Sequence, residues 1–500
     1  MADSNSTPLL TNLDSTKKPT NIVNDNSVDN IIEFYMGALR SPQIMQVILI
    51  SFSCFFEAQQ TFISIFTDAK PTWHCLESPC NQESNICELK TSAWSYDNAH
   101  ASIISEWSLQ CVKNSIVIGL PASCFFMGCI LGGLILFLVG DSFGRKFVLS
   151  LSCFMMSVAS ICCAFAGNVW TYSASRFISG FGRAAIGTCS LVLATESVGK
   201  KWQGQVGTVS FLMSTLGFLS LSIIAYFNRN YSWRVLYVVT SLPGIVYCLL
   251  IQFCVYESPR WLFSQGKERQ AFAVLSTFAG IDLSSTTDQL GDILLAKGNT
   301  NASKKEPFFK MLVESTKFLK QFLLALVVGL GIGITYYGVP LGIGNLDSNL
   351  YLNSAFNALI EIPSVLLTLL TISKWKRRYF ILGLCTLGGC CGILSYMLKN
   401  WNGIVIVMEM ITLFCACTAY DVILIYTSEL FPTCFRNSAV STVWQAVVLG
   451  GVISPVVNAA FGSYIRLLPY GIFGVVLLSF GTLVILLPET LGVSTSEDSV

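Results

Sequence analysis

The stretch Asp421-VILIYTSELFPTCFRN-Ser438, preceded by IVIVMEMITLFCACTAY (404–420), decides how the chain is read. Its first half is a continuous apolar run of the length that crosses a lipid bilayer, about 20 residues. Its second half is a polar turn with Glu429 and Arg436. Asp421 lies inside the apolar part, where a charge is costly unless it faces a cavity or a partner. The run therefore reads as a membrane-spanning helix that carries a functional or structural carboxylate.

Working outward, the same kind of run recurs. With this run counted, candidates fall near 43–66, 115–139, 147–167, 170–195, 205–227 and 235–256, and again near 321–345, 350–373, 379–398, 402–428, 440–463 and 468–487. The expected fold is an all-α integral membrane protein with twelve transmembrane helices. Composition agrees: 53% of the 500 residues are hydrophobic and 12% are charged, where soluble domains carry about a quarter charged. Lys and Arg (30) nearly balance Asp and Glu (29), which offers no basic surplus for nucleic acid.

A repeat relates the two groups of six. Arg145-Lys146 follow the second run and Arg377-Arg378 the eighth, 232 residues later; Glu257 and Glu489 repeat at 232, and Glu196 and Glu429 at 233. Three landmarks at one period predict two parallel six-helix halves. The domain plan is a polar tail over 1–40, a first half over 41–256 containing a polar loop at 67–112, a linker over 257–320, a second half over 321–488 and a tail over 489–500. Short amphipathic helices are expected in the linker, for instance at FFKMLVES (308–315).

Basic residues gather on one side of this plan, at Arg145, Lys146, Lys200, Lys201, Lys374, Lys376, Arg377 and Arg378 and along the linker. The positive-inside rule makes that side cytosolic, with both termini on it. The loop at 67–112 then faces an oxidising compartment, and its Cys75, Cys80, Cys87 and Cys111 are expected to form two disulfides of open pairing. Of the other fifteen cysteines, all but Cys434 are scattered through apolar runs as small hydrophobes. Asn230 begins a glycosylation sequon on the loop side, close to the helix ends; those at Asn5 and Asn301 fall on the cytosolic side.

Short motifs carry a resemblance. Gly140-Asp141-Ser142-Phe143-Gly144-Arg145-Lys146 resembles the loop signature of the major facilitator superfamily, with Phe137 replacing the glycine usual upstream. Arg176-Phe-Ile-Ser-Gly180-Phe-Gly182 resembles its intramembrane arginine motif. SEW (105–107), ESPRWL (257–262) and IYTSELFPTCFRNSA (425–439) together resemble the organic cation/carnitine transporter branch, and AQQTFISIFTDAKPTWHC (58–75) its plant members. The resemblance runs from about residue 30 to 490. It implies the major facilitator fold, no enzymatic activity, no cofactor, and alternating-access transport of a small organic cation, carnitine or an amine. It also implies the vacuolar or plasma membrane, and gating roles for Asp141, Gly144, Arg145, Arg176, Glu196, Glu257, Arg260, Glu429 and Arg436. Charges at helix ends can form and break as two halves rock.

Deep carboxylates point to the substrate. Glu57, Glu361 and Asp421 are expected to line an acidic cavity, with Glu409 nearer water at the outer end of its helix. A quaternary ammonium cannot donate a hydrogen bond, so a carboxylate field plus aromatic faces suits it. Tyr336, Tyr337 and Trp444 are the expected aromatics, and Gln60 and Gln445 the groups that orient a substrate carboxylate. Arg183 supplies a competing account, in which it pairs with Asp421 across the halves. Animal members of the family tend to carry an acidic residue near Gly450-Gly451, where this chain has Val448. Membrane potential or a proton could drive uptake. A sugar-type carrier of the same fold and a non-transporting sensor are the alternatives. ATESVGKK (194–201) lacks the first glycine and the strand of a phosphate loop, and no HExxH occurs, so enzymatic chemistry and metal catalysis have no motif.

Overall fold

A computed structural model describes residues 32–33, 36–37, 39–76, 80, 86–90, 92–111, 115–280, 316–346, 348–371, 374–431 and 436–490. Among them twelve helices are long and apolar enough to cross a membrane: Ser41–Thr67, Ile116–Leu136, Arg145–Ala164, Val169–Glu196, Lys200–Phe227, Trp233–Cys254, Thr316–Leu341, Leu350–Thr371, Arg377–Met397, Gly403–Leu430, Ser438–Gly462 and Leu468–Leu486. They are numbered spans 1 to 12 here. The end of the bundle bearing Arg145 and Arg377 is its basic end, and the opposite end, where residues 67–112 connect spans 1 and 2, is its loop end.

Each half packs its own six helices, and two helix pairs carry most of the contact between halves, spans 2 and 11 and spans 5 and 8. Close approach within a half uses glycine. A Cβ on Gly180 of span 4 would lie 1.9 Å from the carbonyl oxygen of Phe125 on span 2, so the two backbones touch there. This is the work of the glycines that follow Arg176. Span 4 is interrupted between Arg183 and Ile186, so its helix has two segments, Val169–Arg183 and Ile186–Glu196.

The loop end holds an element that an all-helical reading did not include. Strands β1 (Trp73–Cys75) and β2 (Trp94–Tyr96) form an antiparallel pair, with His74 opposite Ser95. Disulfides join Cys75 to Cys80 and Cys87 to Cys111, with Cα separations of 5.6 and 5.3 Å. The SEW residues pin this loop to span 6. Glu106 accepts from Arg234 Nη2 at 2.6 Å and Trp233 Nε1 at 2.7 Å, while Trp107 packs edge-on to Trp233 at 5.6 Å. Burial opposes the charge on Glu106, yet those two donors hold its carboxyl below the usual range.

After span 6 the described chain forms two short helices, Pro259–Ser264 and Glu268–Ala279, whose apolar sides pack around Trp261 and Phe272. The expected helix at 308–315, the sequons at Asn5 and Asn301, and most of the two tails lie outside the described residues.

Candidate functional site

A cavity of about 120 Å³ lies between the halves. Glu57 of span 1, Arg183 of span 4, Thr215 of span 5, Tyr336 and Tyr337 of span 7, Glu361 of span 8, Asp421 of span 10 and Trp444 of span 11 line it. Six of the eight residues expected at the site are thus brought together. It extends toward the basic end along Leu191 and Phe211.

The charges within it are unevenly matched. Among the described residues Arg183 is the one basic side chain in the lining, and its Nη2 lies 2.8 Å from Glu57 Oε1. Both side chains are nearly buried, at 10% and 12% exposure, so the pair is a desolvated one. Glu361 accepts from Thr215 Oγ1 at 3.1 Å and from the Tyr336 hydroxyl at 3.4 Å, both neutral donors. Asp421 sits beside Thr368. Among the described residues neither Glu361 nor Asp421 has a basic partner. The account that paired Arg183 with Asp421 is corrected: Arg183 is taken up by Glu57 within its own half.

Aromatic rings wall the same space. Tyr336 stacks on Tyr420 with centroids 5.1 Å apart and planes at 6°, and Tyr420 meets Trp444 edge-on at 6.1 Å. Tyr337 packs against Tyr336 at 4.8 Å and Phe126 at 4.6 Å. Tyr420 and Thr215 were not foreseen. Tyr420 directly precedes Asp421, and Thr215 belongs to a polar face on span 5 in which Ser210 and Ser214 are one turn apart; those were the available signals.

Two expected residues are elsewhere. Gln60 turns to span 6, where its Nε2 donates to Thr240 Oγ1 at 3.1 Å and Ser241 Oγ at 3.3 Å. Gln445 follows Trp444 by one position, about 100° round the helix, and faces Gly133 of span 2. Glu409 is not near water; it is fully buried and accepts from Asn357 Nδ2 at 2.8 Å. Val448 is also buried, in the apolar core.

At the basic end the expected gating residues form two matching clusters. Glu257 accepts from the backbone N–H of Arg145 at 3.1 Å and of Lys146 at 3.2 Å, capping the start of span 3. A carboxylate at a helix start stabilises by about 0.3–1 kcal/mol. Burial raises the Glu257 pKa, and the backbone donors work against that rise. Glu489 accepts from the Arg377 N–H at 3.0 Å in the same way at span 9. Arg145 Nε lies 3.9 Å from Glu196, and Arg377 Nη2 lies 3.1 Å from Glu429. Glu196 and Glu429 therefore pair with the arginines that open spans 3 and 9. Gly144 has φ +99°, and a Cβ there would lie 2.5 Å from Glu257 Oε2, so the motif needs glycine. The Asp141 side chain lies outside the described residues. Arg176 is elsewhere in its half, fully buried near the loop end.

At the loop end, contacts cross between the halves. Lys70 Nζ donates to Asn345 Oδ1 at 3.0 Å and to the Gly462 carbonyl at 3.2 Å. Tyr351 stacks on Phe66 at 5.7 Å. Asn230 is exposed there, between spans 5 and 6.

Comparison with known proteins agrees with this architecture. Residues 77–499 match the family described as "Sugar (and other) transporter". The chain is 45% identical to organic cation/carnitine transporter 2 of Arabidopsis thaliana over 97% of its own length and 94% of that protein's. It is 46% identical to organic cation/carnitine transporter 3 of the same plant, over 98% and 96%. The inward-open structure of the E. coli xylose transporter XylE superposes with a TM-score of 0.63 at 17% identity, covering 91% of this chain and 98% of that one, and so shows the fold. Two six-helix halves, the motif clusters at their basic ends and full-length similarity lead to one conclusion: the chain is a multi-pass membrane transporter belonging to the organic cation/carnitine transporter family of the major facilitator superfamily.

Proposed function

We propose that this transporter carries a small organic cation, carnitine or a related amine through the cavity between its halves. One observation carries the reading: Glu361 and Asp421 line an aromatic-walled cavity whose one arginine is already engaged by Glu57. The cavity thus has an excess of negative charge in a region of low dielectric, where attraction to a cation is strong. A trimethylammonium head fits between such carboxylates and the faces of Tyr336, Tyr420 and Trp444, each worth about 0.5–2 kcal/mol to a cation. Two relatives are named organic cation/carnitine transporters, which supports the same class.

The roles of the other sites follow. The basic end faces the cytosol, by the positive-inside rule, and the disulfide-bearing loop faces the exterior or the vacuolar lumen. Glu196, Glu257, Glu429 and Glu489 act in gating with Arg145 and Arg377. Their pairs lie within halves, whereas Lys70 and Tyr351 bridge the halves at the loop end, as expected when access is from the basic end. Membrane potential favours cation entry by about 2.3 kcal/mol per charge per 100 mV.

The test is counterflow in proteoliposomes loaded with a quaternary ammonium compound, then with carnitine, then with a hexose. Exchange of the first two and not the third is the expected result. Exchange of the hexose alone would assign the cavity to a neutral solute, and binding without exchange would assign the protein to sensing.

A further inference from the structure

Among the described residues, a charged side chain with no exposed surface occurs once in each half, at matching positions. Arg176 of span 4 and Glu409 of span 10 stand 233 residues apart, and so do the tyrosines near them, Tyr237 and Tyr470. In the first half the charge is answered. Arg176 donates to the Gln60 carbonyl and to Ser64 Oγ, each at 3.0 Å, lies 4.2 Å over the Phe125 ring, and has Asp68 nearby.

In the second half it is not. Glu409 has no exposed surface, and among the described residues its one hydrogen bond comes from Asn357 Nδ2 to Oε1. Its Oε2, the Asn357 Oδ1 and the Tyr470 hydroxyl are buried with no hydrogen-bond partner among the described residues. Tyr470 is the titratable side chain that faces it, and Glu361 lies one turn beyond Asn357 on span 8. Spans 7, 9 and 11 bring no Asp, Glu, Lys, Arg or His in their loop-end halves. A bare carboxylate in such a place lacks what makes a buried charge tolerable. One proton resolves two of the three orphans. An O–H on Oε2 can donate to Asn357 Oδ1 while Nδ2 donates back to Oε1, which closes an acid–amide pair.

We propose that Glu409 and Asn357 form a proton-binding site, separate from the substrate cavity, that carries the coupling proton of transport. Val405, one turn toward the loop end on span 10, lines a loop-end pocket of about 250 Å³, whose lining also holds the basic side chains Lys399 and Arg466; Val405 is buried and separates the pocket from Glu409. Asn357 and Glu361 are about 6 Å apart along span 8, the rise of four helical residues. The proton comes from water at the loop end, forms the Oε2–H bond, and is released to water at the basic end once the transporter has changed its open side. Loss or gain of that proton loosens or fixes Asn357, and span 8 carries the change to Glu361 in the cavity. The coupling role rests on the cation-transport reading; the protonated pair does not.

Two measurements test it. Infrared spectra of the protein in lipid at neutral pH should show a protonated-carboxyl C=O band that vanishes in Glu409→Gln and shifts in Asn357→Ala. Absence of that band in the wild type, or its persistence in Glu409→Gln, overturns the site. In proteoliposomes, the ratio of uptake under an imposed proton gradient to uptake without one should exceed one for wild type and fall to one in Glu409→Gln. An unchanged ratio overturns the coupling role. Should Glu409→Gln fail to fold, Asn357→Ala decides, because loss of its amide should move the pH profile of uptake and an unmoved profile contradicts the proposal. A wild type that exchanges no cation defeats the cavity reading alone, since the infrared result stands independently.

Discussion

Arg183 Nη2 and Glu57 Oε1 lie 2.8 Å apart between spans 4 and 1, and this pair removes the cavity's one arginine from any role beside Asp421. Buried pairs of this kind are sensitive to the loss of one member, which leaves the other charge uncompensated, at about 3–5 kcal/mol. Glu57→Gln and Arg183→Met should each lower the melting temperature or the amount of protein in the membrane. The double variant should recover much of that loss. Additive losses in a double-mutant cycle would show that the two side chains act separately.

The stacked rings of Tyr336 and Tyr420 face the same cavity as the two carboxylates. Tyr420→Phe keeps a ring and should keep the affinity for a quaternary ammonium. Tyr420→Ala should raise its KM by roughly 2- to 30-fold, the range of about 0.5–2 kcal/mol for a cation on an aromatic face. Equal behaviour of the Phe and Ala variants would remove the ring from the binding site.

Lys70 joins the halves at the loop end through Asn345 and Gly462. Hydrogen bonds from a charged donor are worth about 1.5–3 kcal/mol. Lys70→Met should therefore shift the population toward the state open at the loop end. Thr61 of span 1 also lines the cavity, and a Thr61→Cys reporter there should react faster with a membrane-impermeant thiol reagent applied from that side. An unchanged rate would show that closure does not depend on this contact.

Much of this arrangement was legible in the sequence. The twelve apolar runs and the 232-residue spacing of Glu257 and Glu489 already contained the two halves, because bilayer thickness and a repeated helix-end contact both leave periodic marks. The membership of the cavity was partly legible, since a carboxylate such as Asp421 within a span has few tolerable surroundings. The partners were not. Whether Arg183 met Glu57 or Asp421 depends on which faces of spans 1, 4 and 10 converge, and composition is silent on helix rotation. The same limit misplaced Gln60 and Gln445, which sit within a few residues of Glu57 and Trp444 yet face span 6 and span 2. Distance from the span's midpoint alone places Glu409 near water, but Asn357 and Tyr470 enclose it. The loop hairpin escaped notice because three-residue strands leave no periodic signal.

Asp421 faces a cation rather than a structural partner if uptake of a labelled quaternary ammonium compound into vesicles depends on its charge, compared between wild type and Asp421→Asn with the amount of folded protein in the membrane measured alongside. Loss of a charge contact worth more than about 1.4 kcal/mol corresponds to at least a tenfold fall in uptake at low substrate. That fall is expected with normal membrane levels, and the same for Glu361→Gln. Undiminished uptake by a stable Asp421→Asn protein would contradict it.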